Sequence, residues 1–185
     1  MRDFLTVIKI ALIGLFVAVI AYPLVHEGGH ILATALTGGK LICLSWLPVP
    51  NVLCEVNISN NAALAVTSLA GMILPMIFIL PFFKSKGFLR FGVLVFNMIT
   101  ILSAVIGLSV SFLRLNNTVI PNDDVTAFID FTGWMLPTVF IMSVLTVITI
   151  LQLFLLKPKS TFLNILDTAQ IVKRKVKVIP KAKPI

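Results

Sequence analysis

His26, Glu27, Gly28, Gly29 and His30 spell an H-E-x-x-H sequence, and His26 and His30 are the only histidines in the chain. On an α-helix, positions i and i+4 lie on one face. Both imidazoles can therefore reach one zinc ion, while the glutamate beside the first acts as the general base of a metal-dependent hydrolase. Glu55 is the only other glutamate. An apolar run from Ile10 to Val25 leads into the motif, and apolar character resumes at Ile31. Three ionisable groups in such a run are costly at membrane depth, so a functional site accounts for them better than two histidines and a carboxylate that merely pair with one another.

A catalytic zinc usually takes three protein ligands and keeps a fourth position open. No histidine remains, so the third ligand must be a carboxylate or a thiolate. Pro121-Asn122-Asp123-Asp124 precedes the last long apolar run, and either Asp123 or Asp124 can turn toward the metal. Asn and Asp also favour helix N-caps, so one of them can cap while its neighbour ligates. Cys54 and Glu55 are poorer candidates, because they fall on a segment that reads as a hairpin.

The elements that must position these residues are membrane helices. Of 185 residues, 58% are hydrophobic and 12% charged, at a mean hydropathy of +1.07. Ordinary soluble domains carry about 25% charge, so a soluble globule is excluded, as is a disordered chain. Two cysteines cannot build a disulfide framework. A crossing needs about 20 apolar residues at roughly 1.5 Å each. Asn61 to Phe83, Phe91 to Leu113 and Phe131 to Leu156 meet this without a charge, and a first span meets it if one helix continues from Ile10 through the motif to Thr37. The expected fold is an all-α integral membrane protein with about four transmembrane helices and a small β-hairpin between the first two. Residues 1–156 form the membrane-embedded domain, and 157–185 a basic tail. Arg2 and Lys9 ahead of an apolar core also suit a signal peptide, but no Ala-x-Ala site follows.

Short cytoplasmic loops collect Lys and Arg. Lys84, Lys86 and Arg90 fill the second connection, and Lys157, Lys159, Lys173, Arg174, Lys175, Lys177, Lys181 and Lys183 fill the tail. The first and third connections hold only Lys40 and Arg114, with Glu55, Asp123, Asp124 and Asp130. Both termini are therefore expected in the cytoplasm, which places His26 and His30 in the outer half of the first span. Phe162, Ile165, Leu166, Ala169 and Val172 recur at helical spacing ahead of the basic run, a pattern suited to a helix on anionic lipid, and membrane adjacency explains the charge better than nucleic acid does.

Leu41 to Trp46 and Val52 to Ile58 flank Leu47-Pro48-Val49-Pro50, which favours a turn. A four-residue turn there sets Ser45 opposite Val52, Leu44 opposite Leu53, and Cys43 opposite Cys54. On an oxidising outer side that register predicts a Cys43–Cys54 disulfide, with two buried free thiols as the alternative.

Val25-His26-Glu27-Gly28-Gly29-His30-Ile31-Leu32-Ala33, running on to Thr37-Gly38-Gly39-Lys40, resembles the active-site helix of intramembrane zinc metalloproteases related to the site-2 proteases, especially their short M50B-like branch. Ser68-Leu69-Ala70-Gly71, followed by Pro75, resembles the small-residue motif of that family's next helix, and the Asp-rich segment ending Phe131-Thr132-Gly133 is similar to its aspartate segment. The usual Leu-Asp-Gly sequence of that segment is absent, and the family holds its site near the cytoplasmic side. The resemblance implies one zinc per chain on His26, His30 and an aspartate. Asp124 matches the family's spacing better than Asp123, which stays the alternative.

The expected function is hydrolysis of a peptide bond in a membrane-spanning or membrane-proximal protein substrate, with Glu27 as the base. The hairpin edge can hold an unwound substrate segment by strand addition. The alternative is a non-hydrolytic membrane protein that binds, senses or transports a divalent metal. Such a protein needs the histidines but not Glu27.

Overall fold

The computed structural model describes residues 2–45, 50–56, 60–121 and 123–165, with side chains from Phe4 onward. The segment through the motif folds as helix α1 (Arg2–Phe16), a π-helical turn (Val17–Ala21) and α2 (Tyr22–Leu36), which together continue as one helical rod through His26 and His30. In the π turn the Tyr22 N–H bonds the carbonyl five residues back, at Val17. That wider turn receives the Pro23 ring, which in a regular helix clashes with the carbonyl four residues earlier. α2 stops at Gly38, whose φ of +79° is a left-handed conformation.

Strands β1 (Lys40–Ser45) and β2 (Asn51–Glu55) follow as an antiparallel pair. Their register differs from expectation. Ser45 faces Asn51, Leu44 faces Val52 and Cys43 faces Leu53, while Leu41 faces Cys54 across an irregularity between Leu41 and Cys43. The pairing leaves five residues rather than four between the strands, and a one-residue slip moves a side chain to the other face of the ribbon. Cys43 and Cys54 therefore do not oppose each other. Both are free thiols, Cys43 exposed and Cys54 half-buried. The turn residues 46–49 lie outside the described residues, as does Ile58.

Four helical stretches are long and apolar enough to cross a membrane: Phe4–Leu36, Asn61–Lys84, Gly87–Leu115 and Met135–Ile165. Their outward faces carry large apolar side chains such as Phe140 and Phe154, about 70% exposed, a surface suited to lipid. The second stretch contains α3 (Asn61–Phe78), capped by the Asn60 side chain, and a 3-10 turn (Leu80–Lys84). The third is α4 (Gly87–Leu115) and the fourth begins with α6 (Met135–Leu156). The expected run from Phe131 is broken. α5 (Asp124–Thr132) ends at Gly133, with φ +72° and its N–H on the Ile129 carbonyl, so the apolar stretch is divided by a helix stop and α6 starts afresh.

Helix association in lipid depends on packing and interhelical hydrogen bonds. Asn97 on α4 donates to the Thr149 carbonyl of α6 at 3.2 Å, as its place in an apolar span suggested. Gln152 on α6 donates to Met76 on α3 at 3.0 Å. Arg90 caps α6 by donating to the Leu156 carbonyl from Nε and Nη2. Beyond Lys157 a helix resumes and is described to Ile165; Leu166, Ala169, Val172 and the basic run lie outside the described residues. A core of Leu69, Met72, Val110, Val125, Phe128, Ile129 and Met142 clamps α5 against α3, α4 and α6, which fixes the height of Asp124.

Candidate metal centre

α2 presents Tyr22, His26, Glu27 and His30 to a cavity of about 950 Å³, which α5 closes with Asp123 and Asp124. His26 Nε2, His30 Nε2 and Asp124 Oδ2 form a triangle with edges of 3.4 Å between the imidazoles and 3.3 and 3.4 Å to the carboxylate. A tetrahedral ion with bonds of about 2.0–2.1 Å separates its ligands by roughly 3.3–3.4 Å. Two imidazole nitrogens and one carboxylate oxygen are a donor set suited to zinc, so type and spacing both fit.

The ring orientations agree with this. His30 Nδ1 lies 2.7 Å from the Thr67 carbonyl, which can only accept, so Nδ1 carries the hydrogen and the neutral ring turns a lone pair at Nε2 toward the triangle. Three electron-rich atoms then converge, and they need a shared cation or protons between them. When protons take that role, burial pushes the Asp124 carboxyl up, but hydrogen bonds from His26 and His30 and their charge outweigh it and hold Asp124 well below the usual carboxylate range. His26 Nδ1 is buried with no hydrogen-bond partner among the described residues. Its ring is held between Tyr22, 6.0 Å away in a stacked geometry, and His30, 5.0 Å away edge-on.

The two aspartates divide their work as the sequence allowed. Asp123 Oδ1 accepts from Val125 N at 2.9 Å and Thr126 N at 3.1 Å, a helix N-cap, while Asp124 reaches the imidazoles. Glu27 lies outside the triangle, and its Oε2 accepts from the Val52 main-chain N–H at 3.1 Å. Glu55 stands opposite Lys40 in the strand register at the far end of the hairpin, and Cys54 lines the cavity without joining the triangle.

Sequence reasoning did not single out Tyr22, Thr67 or Val52, or the work of Gly71. A Cβ on Gly71 would fall 2.8 Å from His30 Cε1, 2.9 Å from His26 Cε1, and closer still to His30 Nε2. A Cβ on Gly29 would lie 2.6 Å from the Ala70 carbonyl carbon. Glycine at both positions lets α2 and α3 approach until the imidazoles rest on bare α3 backbone. The small-residue motif around Gly71 was the available signal. Thr67 and Val52 contribute main-chain groups, which every residue type carries, so no signal existed for them. No family model, curated protein or solved structure matches this chain.

Proposed function

We propose that this chain is an intramembrane zinc metalloprotease, hydrolysing a peptide bond in a membrane-spanning or membrane-proximal protein. The observation that carries the reading is the 3.3–3.4 Å triangle of His26, His30 and Asp124, with a carboxylate beside it that is not a ligand. The four apolar helical stretches and the motif's likeness to site-2 proteases support the bilayer setting and the peptide substrate. His26, His30 and Asp124 would hold one zinc ion, which would supply Lewis acidity and acidify an attacking water. Glu27 would accept a proton from the water and return it to the leaving amine. Because a helical substrate hides its peptide bonds, the segment to be cut must unwind, and β2 offers an edge on which to hold it extended. Anionic lipid is the partner that suits the charge of the basic tail.

Glu27 separates this reading from the metal carrier, which has use for the ligands but none for a base. Glu27→Gln keeps size and hydrogen bonding. It should hold zinc at near the parental level and lose at least about 100-fold in turnover on single-span substrates, the lower range for general-base loss. Unchanged turnover would refute the mechanism. A parent protein that cleaves no substrate of such a panel yet moves zinc across sealed vesicles would replace the protease with the carrier.

A further inference from the structure

The donor that holds Glu27 belongs to a strand edge. In an antiparallel pair, main-chain groups alternate between pointing at the partner strand and away from it. The Val52 N–H goes to Glu27 on α2, so it points away from β1, and Cys54, two residues on, points the same way. Val52 and Cys54 thus form the outer edge of β2, where the sheet has no further strand among the described residues. Asn51, Val52 and Cys54 also line the cavity that holds the metal ligands. A peptide adding to this edge would need the Val52 N–H for one of its own carbonyls. One N–H serves one well-aligned acceptor at a time.

We propose that the Val52 N–H is a shared donor that couples substrate pairing to release of the general base. Resting on the protease reading above, the inference is that Glu27 Oε2 occupies this N–H until a peptide strand lies along β2. A peptide carbonyl then takes the bond, and the freed carboxylate can turn to the attacking water beside the metal ligands. The base is disengaged until an extended chain is in register. The chemistry that recognises the substrate is main-chain: an extended peptide with carbonyls spaced to meet Val52 and Cys54, whatever its side chains. A folded helix, its carbonyls already bonded, cannot make the exchange.

The test uses the full chain in detergent micelles with chelator present, so that nothing is cleaved. The probe is a fluorescein-labelled octapeptide of alternating Val and Thr, whose β-branched residues favour extension. Anisotropy gives its affinity. Glu27→Ala removes the competing acceptor and should tighten binding about 3- to 10-fold, the worth of one hydrogen bond, with Glu27→Gln falling between parent and Ala. Val52→Pro removes the donor at an edge position where proline is tolerated. It should weaken binding by a similar factor and abolish the effect of Glu27→Ala. Equal affinities for parent and Glu27→Ala, with Val52→Pro still weaker, would overturn the shared donor while leaving strand pairing and the protease reading intact. No binding by any variant would overturn strand pairing and the shared donor together, while the protease reading stands or falls on the cleavage assay. A second readout does not depend on the proline variant folding. Hydrogen exchange should find the Val52 amide protected in the parent, fast in Glu27→Ala, and protected again once the octapeptide is added. Equal exchange in parent and Glu27→Ala without peptide would reject the proposal.

Discussion

Gly71→Ala puts the least possible mass at the most sensitive point of the site. The added Cβ would stand 2.8 Å from His30 Cε1 and 2.9 Å from His26 Cε1. Carbon atoms in contact prefer about 3.5–4.0 Å, so each ring must retreat by roughly 0.6–1.2 Å. Metal sites tolerate about ±0.2 Å in ligand distance. The rings cannot absorb the shift by sliding along α2, because His30 Nδ1 is tied to the Thr67 carbonyl and His26 is wedged between Tyr22 and His30. Disturbing ligand orientation alone costs about 10- to 100-fold in metal affinity. Displacing both imidazoles should therefore lower zinc affinity at least about 100-fold. The fold should survive, since Ala is favoured over Gly in a helix interior by about 1 kcal/mol. Zinc titration against a competing chelator in detergent, paired with thermal unfolding of the metal-free protein, reads the two effects separately. Gly92→Ala, in the interior of α4, is the matched control. Its Cβ meets only Ile13 at 3.4 Å and Val17 at 3.7 Å, ordinary contacts away from the ligands, so zinc affinity should hold. Zinc affinity within about 3-fold of the parent in Gly71→Ala would refute the argument that bare backbone at Gly71 seats the ligands.

Other outcomes follow from the same geometry. Asp124→Ala should abolish stoichiometric zinc, whereas Asp123→Ala should keep it and lose about 1 kcal/mol of stability with its N-cap; metal analysis and thermal unfolding distinguish them. Because the folded Asp124 carboxyl titrates below its ordinary value near about 4, its stabilising contribution is present above that pH and is lost only as pH falls through the depressed value. The melting-temperature gap between metal-free parent and Asp124→Asn should accordingly persist down to pH 4 and close below it. A gap that closes between pH 6 and 5 would contradict this. Cysteine labelling in sealed vesicles should find positions Ser85 and Ser160 on the cytoplasmic side and Asn60 and Asn116 on the opposite one. Cytoplasmic labelling of Asn60 would invert the topology and move the site to the inner half.

Local rules acting over a few residues were legible in the sequence. Charge-free runs of about 20 residues are long and apolar enough to cross a bilayer as helices, which satisfy their own backbone hydrogen bonds, and the chain is helical over those runs. The i, i+4 spacing of His26 and His30 puts two donors on one face, and the Asp123-Asp124 pair offers a cap and a ligand side by side. What tertiary structure decided were distances between elements far apart in the chain. Which aspartate reaches the imidazoles was decided by the packing of Val125, Phe128 and Ile129, which rotates α5 until Asp124 meets α2. The hairpin register was set by a five-residue connection and an irregularity beside Ile42, neither encoded in a turn signature, and it separated Cys43 from Cys54. Gly133 splits an apolar run that composition alone makes continuous, because a left-handed residue stops a helix whatever the hydropathy around it. The Val52 N–H and the Thr67 carbonyl, which hold Glu27 and His30, belong to the main chain that all residues share. Sequence distinguishes side chains, and only folding brings a particular peptide group to a particular carboxylate or imidazole.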